Sequence, residues 1–278
     1  MTWRIGAVSY LNTKPLIYGL REHLPGSELL LDLPSRLADR LAAGELDVAL
    51  IPSVEFLRCD RLKIVSDACI ACRGPVRSVR VLFRKPPSEV RTLALDEGSR
   101  TSAALAQVLL AERFGVRPLR QQLDINAVIE ECSADAILVI GDRAMSLDLS
   151  AYCESWDLGD EWFHETGLPF VFAMWVARED ALPEISEALE QARDSGLANL
   201  EEIVASEAPR YGLTETSCNE YFRHHLHFYL GENELAGFQL FSKHASSIGL
   251  ISATLPPGLS DNLTSIPPHP QSLSPECR

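Results

Sequence analysis

The chain has 278 residues, 46% of them hydrophobic, enough to bury one large core or two modest ones. A formal net charge of −14 argues against nucleic acid and anionic membrane surfaces as partners, although a cleft can still be locally positive. No apolar run approaches the roughly 18–20 residues that cross a bilayer, and seven scattered cysteines, an odd number, read as reduced cytoplasmic thiols.

The first predicted element is the apolar strand Ile5–Val8. It begins almost at the N-terminus, with no basic segment followed by an apolar run, so no export signal is expected. The strand enters a polar loop, Ser9-Tyr10-Leu11-Asn12-Thr13-Lys14-Pro15-Leu16, that opens a helix. Asn12 and Thr13 are cap-type residues, and Pro15 suits a first turn. Amide, hydroxyl and free N–H groups are thus presented at the end of a strand, the edge where open α/β sheets bind ligands. A helix start there favours an anion. Glu28–Leu33 is a predicted buried strand. Leu37, Ala38, Leu41 and Ala42 form a helical stripe that Gly44 closes, and Asp47–Pro52 is the next strand. This βαβαβ order implies a mainly parallel sheet, and the turn after it adds Ser53 to the same edge.

Cys69-Ile-Ala-Cys72 has the spacing of a redox or zinc pair, but no second pair matches it. Val79–Arg84 is a strand that Lys85-Pro86-Pro87 breaks. A second series follows: strand Thr92–Leu95, loop Asp96–Ser102, then a helix carrying Ala104, Leu105, Val108, Leu109 and Ala111 on one side. Ser99, Arg100, Thr101 and Ser102 place donors at that helix start. N-capping alone would explain either polar loop by itself. Two such loops after strands, one in each half, point to a ligand cleft.

Leu119–Leu123 is a short predicted strand. Ala134–Ile140 is a clear one, and it runs into Gly141 and Asp142, two further candidates. Trp156–Phe170 reads as a packed aromatic loop that brings Thr166 and Gly167 near the ligand. Phe170–Val176 is a long apolar strand. Three helices are predicted after it: from Pro183 through Ile203, from Thr214 to Gly231, and from Glu232 to Ser246. His224 and His227 stand one helical turn apart without a supporting ligand pattern, so no metal is expected. No P-loop, dinucleotide fingerprint or nucleophile elbow is present, and no cofactor is expected. The resulting architecture is α/β with two lobes. Lobe I comprises 1–86 and 177–252, lobe II comprises 87–176, and a central cleft lies between them. The crossovers fall near Arg84–Pro87 and Val176–Glu179. The Pro-rich segment 253–278 is expected to be disordered.

Ser9–Leu16, Asp96–Ser102 and Thr166-Gly-Leu-Pro-Phe170, with Gly44–Pro52 and Tyr229–Leu235, resemble the chorismate dehydratases of the futalosine route to menaquinone. The likeness runs over about residues 3–250. It implies a periplasmic-binding-protein type II fold used as a cytoplasmic enzyme, with chorismate, a small dicarboxylate, as substrate. The implied products are 3-[(1-carboxyvinyl)oxy]benzoate and water. The sister enzyme that makes 1,4-dihydroxy-6-naphthoate shares the fold but has a Cys-Pro-Asn-Asp-type N-terminal loop, absent here. Asn12 and Ser99 are the candidate catalytic residues. Ser9, Tyr10, Thr13, Ser53, Arg100, Thr101, Ser102, Gly141, Asp142, Thr166 and Gly167 are the candidate substrate-binding residues. The motifs hold mostly neutral polar groups and no strong base, so the substrate's own enolpyruvyl carboxylate is the expected proton acceptor. The alternatives are a non-catalytic small-anion binder on the same fold and the sister 1,4-dihydroxy-6-naphthoate synthase.

Overall fold

In the computed structural model, residues 2–178 and 183–252 are described. Strands β1 (Arg4–Val8), β2 (Glu28–Asp32) and β3 (Val48–Pro52) run parallel with β1 in the middle. A short helix α1 (Leu20–His23) precedes β2. Helix α2 (Pro34–Ala42) joins β2 to β3 and buries Leu37, Ala38 and Leu41 under the sheet. Gly44 follows it with φ +76°, the left-handed turn that glycine tolerates at low cost. β2 is an edge strand with several half-exposed side chains, so the expectation of a buried strand at Glu28–Leu33 is corrected. α3 (Ser53–Arg58) leaves β3 directly.

The ten-residue strand β4 (Lys63–Cys72) has no counterpart among the sequence expectations. Ser66 and Asp67 interrupt its apolar pattern, and Ala and Cys carry little strand preference. The fold satisfies those polar groups internally: Ser66 Oγ accepts from the Ala68 N–H, and buried Arg193 donates to Asp67. Cys69 and Cys72 point into the core as free thiols, and burial pushes both pKa values up. They are packing residues, not a redox or zinc pair.

The second sheet contains β5 (Val79–Phe83), β6 (Thr92–Asp96), β7 (Leu119–Leu123), β8 (Ala136–Ile140) and β9 (Glu154–Asp157) in the order β7-β6-β8-β5-β9. β6 is parallel to β7 and β8, and β5 is antiparallel to β8 and β9. Helix α4 (Thr101–Phe114) follows β6 and α5 (Leu158–Thr166) follows β9. The expected aromatic loop is therefore a strand and a helix. Asp157 caps α5 by accepting from the Gly159 and Asp160 N–H groups. β10 (Phe170–Ala177) returns to the first sheet, antiparallel between β3 and β4.

These pairings move the lobe boundaries. β5 was expected in lobe I and lies in the second sheet; β10 was expected in lobe II and lies in the first. The chain crosses between Cys72 and Val79, and again between Thr166 and Phe170, not at Arg84–Pro87 or Val176–Glu179. Both strands are apolar enough for either sheet, so neighbours and register decide their place. Glu179 and residues 253–278 lie outside the described residues.

The C-terminal part packs back on the first sheet, as expected. The first predicted helix divides into α6 (Pro183–Ala198) and α7 (Leu200–Glu207) at Asn199. The second is not one helix. It comprises α8 (Glu215–Glu220), a π-helical turn Tyr221–His225 and strand β11 (His227–Tyr229), which pairs with β4. α9 (Glu232–Ser247) closes the described chain. His224 and His227 thus occupy different elements and share no helical face. Arg73 donates to His227 Nε2 at 3.0 Å, and burial lowers the His227 pKa to about 4.

Candidate functional site

A cleft opens between the two sheets. Its floor is apolar, with Val8, Ile70, Val79, Ile140 and Phe172 contributed by strands of both sheets or the residues beside them. Its polar groups come from three places: the loop after β1, the start of α4, and the first crossover at Ser78.

The loop after β1 forms a 3₁₀ turn over Leu11–Ile17, with Tyr10 preceding it in extended conformation. Asn12 and Thr13 lie inside this turn and make no cap bond, a correction to their expected capping role. The Leu11 N–H is instead taken by Asp142 Oδ1 at 3.1 Å, from the other half of the molecule. Tyr10 crosses the cleft and packs its ring on the second sheet. A Cβ at Gly98 would lie 2.9 Å from the Tyr10 hydroxyl, and one at Gly141 would lie 2.8 Å from the ring. Gly141 also has φ 74° and ψ −160°, a region open to glycine almost alone. Burial, then the Asp96 carboxylate, raises the Tyr10 pKa, so its phenol stays protonated.

Asp96 shapes the second loop. Its buried carboxylate accepts from the Gly98 N–H at 3.0 Å, the Ile140 N–H at 3.2 Å and Arg143 at 2.6 Å. The turn delivers Ser99 and the N-terminus of α4 to the cleft, where the first helical N–H groups have no intrahelical partner. Ser99 Oγ and the Tyr10 hydroxyl are buried and make no hydrogen bond within the protein. Two unpartnered donors in a cleft are groups that a polar ligand would satisfy.

The third contribution, Ser78, was not among the sequence candidates. The Tyr221 hydroxyl donates to Ser78 Oγ at 2.8 Å, and both groups are buried. The Asn12 amide approaches the same phenol as a hydrogen-bonding neighbour. Thr13 Oγ1 donates to Asn12 Oδ1 at 3.3 Å. Nothing in the local sequence marks Ser78 or Tyr221, which meet over 143 positions.

Of the predicted residues, Tyr10, Asn12, Ser99, Arg100, Thr101, Ser102 and Gly141 line the cleft. Arg100 spends its guanidinium on Asp39, at 2.8 Å, and Glu55, at 3.2 Å. Thr101 Oγ1 accepts from the Val54 N–H at 3.2 Å. Both therefore tie the two halves together. The other six stand away from the lining. Ser53 is buried and donates to the Val171 carbonyl at 2.7 Å; Thr13 is buried beneath Asn12. Ser9 is exposed. Asp142 faces the Leu11 amide, and burial raises its pKa to about 6. Thr166 donates to the Trp162 carbonyl at 2.8 Å, and Gly167 is the left-handed cap of α5. Apart from Arg100, the described lining residues bring no ionised side chain, and none is an imidazole or a thiol.

Two sheets with a ligand cleft between them, joined by two crossings, define the periplasmic-binding-protein class of fold. Solved structures agree at that level. The alkanesulfonate-binding protein SsuA of Xanthomonas axonopodis pv. citri, bound to MOPS, matches with a TM-score of 0.66 at 14% identity, over 94% of this chain and 97% of that one. A protein of Archaeoglobus fulgidus matches with a TM-score of 0.73 at 17% identity, over 90% of this chain and 98% of that one. A family model described as menaquinone biosynthesis matches residues 3–247, and the chain belongs to that family. It is 32% identical to a chorismate dehydratase of Thermus thermophilus, over 88% of this chain and 95% of the relative. A chorismate dehydratase of Campylobacter jejuni is 30% identical over 60% of this chain and 64% of its own length. Among the described residues no helix is long and apolar enough to cross a membrane.

Proposed function

We propose that this protein is a chorismate dehydratase, a carbon–oxygen lyase that removes water from chorismate and leaves 3-[(1-carboxyvinyl)oxy]benzoate for menaquinone biosynthesis. The observation that carries the proposal is the pair of buried, unpartnered hydroxyls in the cleft, Tyr10 from the loop after β1 and Ser99 from the loop before α4. They suit a rigid ring carrying a carboxylate. Ser99, Ser102 and the N-terminal N–H groups of α4 take the ring carboxylate, and the helix dipole strengthens those bonds.

The chemistry follows from the substrate. The C3–H bond of chorismate is vinylogously acidic, because the ring carboxylate takes up the developing charge. As the C3 proton leaves, its electron pair enters the ring and the C4–O bond breaks. The C4 oxygen leaves as hydroxide and receives the proton that the acceptor took from C3, so that water is released and the ring becomes aromatic. Donors held around the carboxylate stabilise the enolate-like state. Asn12 and Ser78, on the opposite wall, supply donors to the leaving oxygen. The described lining provides no general base, which favours the enolpyruvyl carboxylate of the substrate as proton acceptor. Ser9, Thr13, Ser53, Asp142, Thr166 and Gly167 support the walls instead of touching substrate. The reaction needs no metal or organic cofactor. Free thiols at six described cysteines fit a cytoplasmic location.

Ultraviolet spectroscopy with chorismate is the test. Conversion replaces the diene absorption by that of a benzoate. Binding without a spectral change would make the protein a small-anion carrier of the same fold. A chorismate analogue whose enolpyruvyl carboxylate is a neutral amide should bind and not turn over; undiminished turnover would remove the substrate-assisted step.

A further inference from the structure

Tyr221 lies outside every motif that marks the cleft. It sits at the start of the π-helical turn Tyr221–His225, the junction at which the chain leaves α8 for β11. Such single-turn π segments recur where a side chain must be re-aimed. The ring is fully buried beside Phe222, at 5.9 Å between centroids. A phenylalanine would fill the same space. The hydroxyl therefore needs a reason beyond packing, since burying it costs free energy unless it is bonded.

Its partners supply that reason. The Tyr221 hydroxyl donates to Ser78 Oγ at 2.8 Å. The oxygen of Ser78 is thereby engaged as an acceptor, and its own hydrogen is left for the cleft that it lines. On the other side the Asn12 amide neighbours the Tyr221 hydroxyl, and Thr13 Oγ1 donates to Asn12 Oδ1. This fixes which end of the amide is the donor and which the acceptor. Ser78 and Asn12 arrive from different segments, the first crossover and the loop after β1. Tyr221 is the buried group that both share. Burial pushes its phenol well above the ordinary range, so it remains a donor at every working pH.

We propose that Tyr221 is a positioning residue for the dehydration. It touches no substrate, but it orients the Ser78 hydroxyl and the Asn12 amide toward the leaving oxygen. The inference rests on the dehydratase reading for its kinetic consequences only.

The test is Tyr221→Phe, which keeps the ring and removes the hydroxyl. The kcat for chorismate should fall about 10- to 100-fold, the usual scale for a group that orients a reacting residue. The KM should change by less than about threefold, because the carboxylate contacts at α4 are untouched. The loss should add only in part to that of Ser78→Ala, because Ser78→Ala removes one of the two groups that Tyr221 orients and leaves Asn12 as the other. Unchanged kcat, a loss confined to KM, or full additivity in the double variant would each overturn the proposal. A crystal structure of Tyr221→Phe gives a readout independent of the substrate. Rotation of the Asn12 amide or the Ser78 hydroxyl supports the positioning role, and both side chains unmoved would overturn it. If the wild-type protein leaves chorismate unchanged, the dehydratase reading fails, and the crystal structure still decides whether Tyr221 sets these two groups.

Discussion

At the scale of single residues, the cleft is a set of neutral donors whose directions are fixed by neighbours. Asn12→Leu keeps the branched side-chain skeleton and deletes the amide. Turnover should fall by at least about a hundredfold while melting temperature holds, the scale of losing one preorganised donor. Normal kinetics in the folded variant would take Asn12 out of the chemistry. Asp142 offers a separate test. Burial raises its pKa from 3.8 to about 6. The folded protein therefore keeps a proton there that the unfolded chain has already released, and stability falls as pH rises from about 4 through about 6. Asp142→Asn retains an acceptor for the Leu11 N–H without the charge. Its melting temperature should exceed that of the wild type by a margin that grows over this window and then levels above about pH 7. A margin constant from pH 5 to pH 8 would show that the carboxyl is not burdened by burial. The sequence placed Asp142 at the site on its position after a strand. Only the fold reveals that it faces the Leu11 amide.

At the scale of elements, two close approaches hold the site. Helix α6 presses on the 3₁₀ turn carrying Asn12: a Cβ at Gly196 would lie 2.1 Å from the Pro15 carbonyl oxygen. Gly196→Ala must push helix and turn apart, so activity and melting temperature should fall together. The start of α4 is the second. Thr101 was expected to cap the helix or hold the ligand, and its oxygen accepts from the buried Val54 N–H instead. Thr101→Ala strands that N–H, at a cost of about 1–3 kcal/mol. Thermal denaturation should register this loss with KM moved only slightly. A large rise in KM at unchanged stability would return Thr101 to the ligand. The helix itself was legible, because Ala and Leu run through Thr101–Phe114 and Gly115 closes it in left-handed conformation. The direction of a threonine hydroxyl was not, since capping, ligand binding and a tie to another segment share one sequence pattern.

At the scale of the molecule, the two sheets are latched across the cleft. Arg36 reaches Glu97 at 2.7 Å, Arg100 reaches Asp39 and Glu55, and Asp142 holds the Leu11 N–H. The ion pairs are partly exposed and each contributes about 0–1 kcal/mol, so they bias closure without locking it. The two crossings, Cys72 to Val79 and Thr166 to Phe170, are the places where a hinge would act. Small-angle scattering of Arg36→Ala/Arg100→Ala should give a larger radius of gyration than the wild type, and a saturating benzoate-type ligand should reduce it. Equal radii for variant and wild type would mean that the crossings alone fix the lobe geometry.

The sequence by itself determined the strands and helices with strong periodicity, the α/β class, and the two loops after β1 and β6 that reach the cleft. Those features are local: an apolar period, a glycine after a helix and hydroxyls at a helix start act within a few residues. The tertiary structure decided the rest. It placed β5 and β10 in their sheets, because two apolar strands fit either sheet until register and neighbours are specified. It made a strand of Lys63–Cys72, because Arg193, far along the chain, satisfies the buried Asp67. It brought Ser78 and Tyr221 to Asn12, because a hydrogen bond across 143 positions leaves no trace in the spacing of residues along the chain.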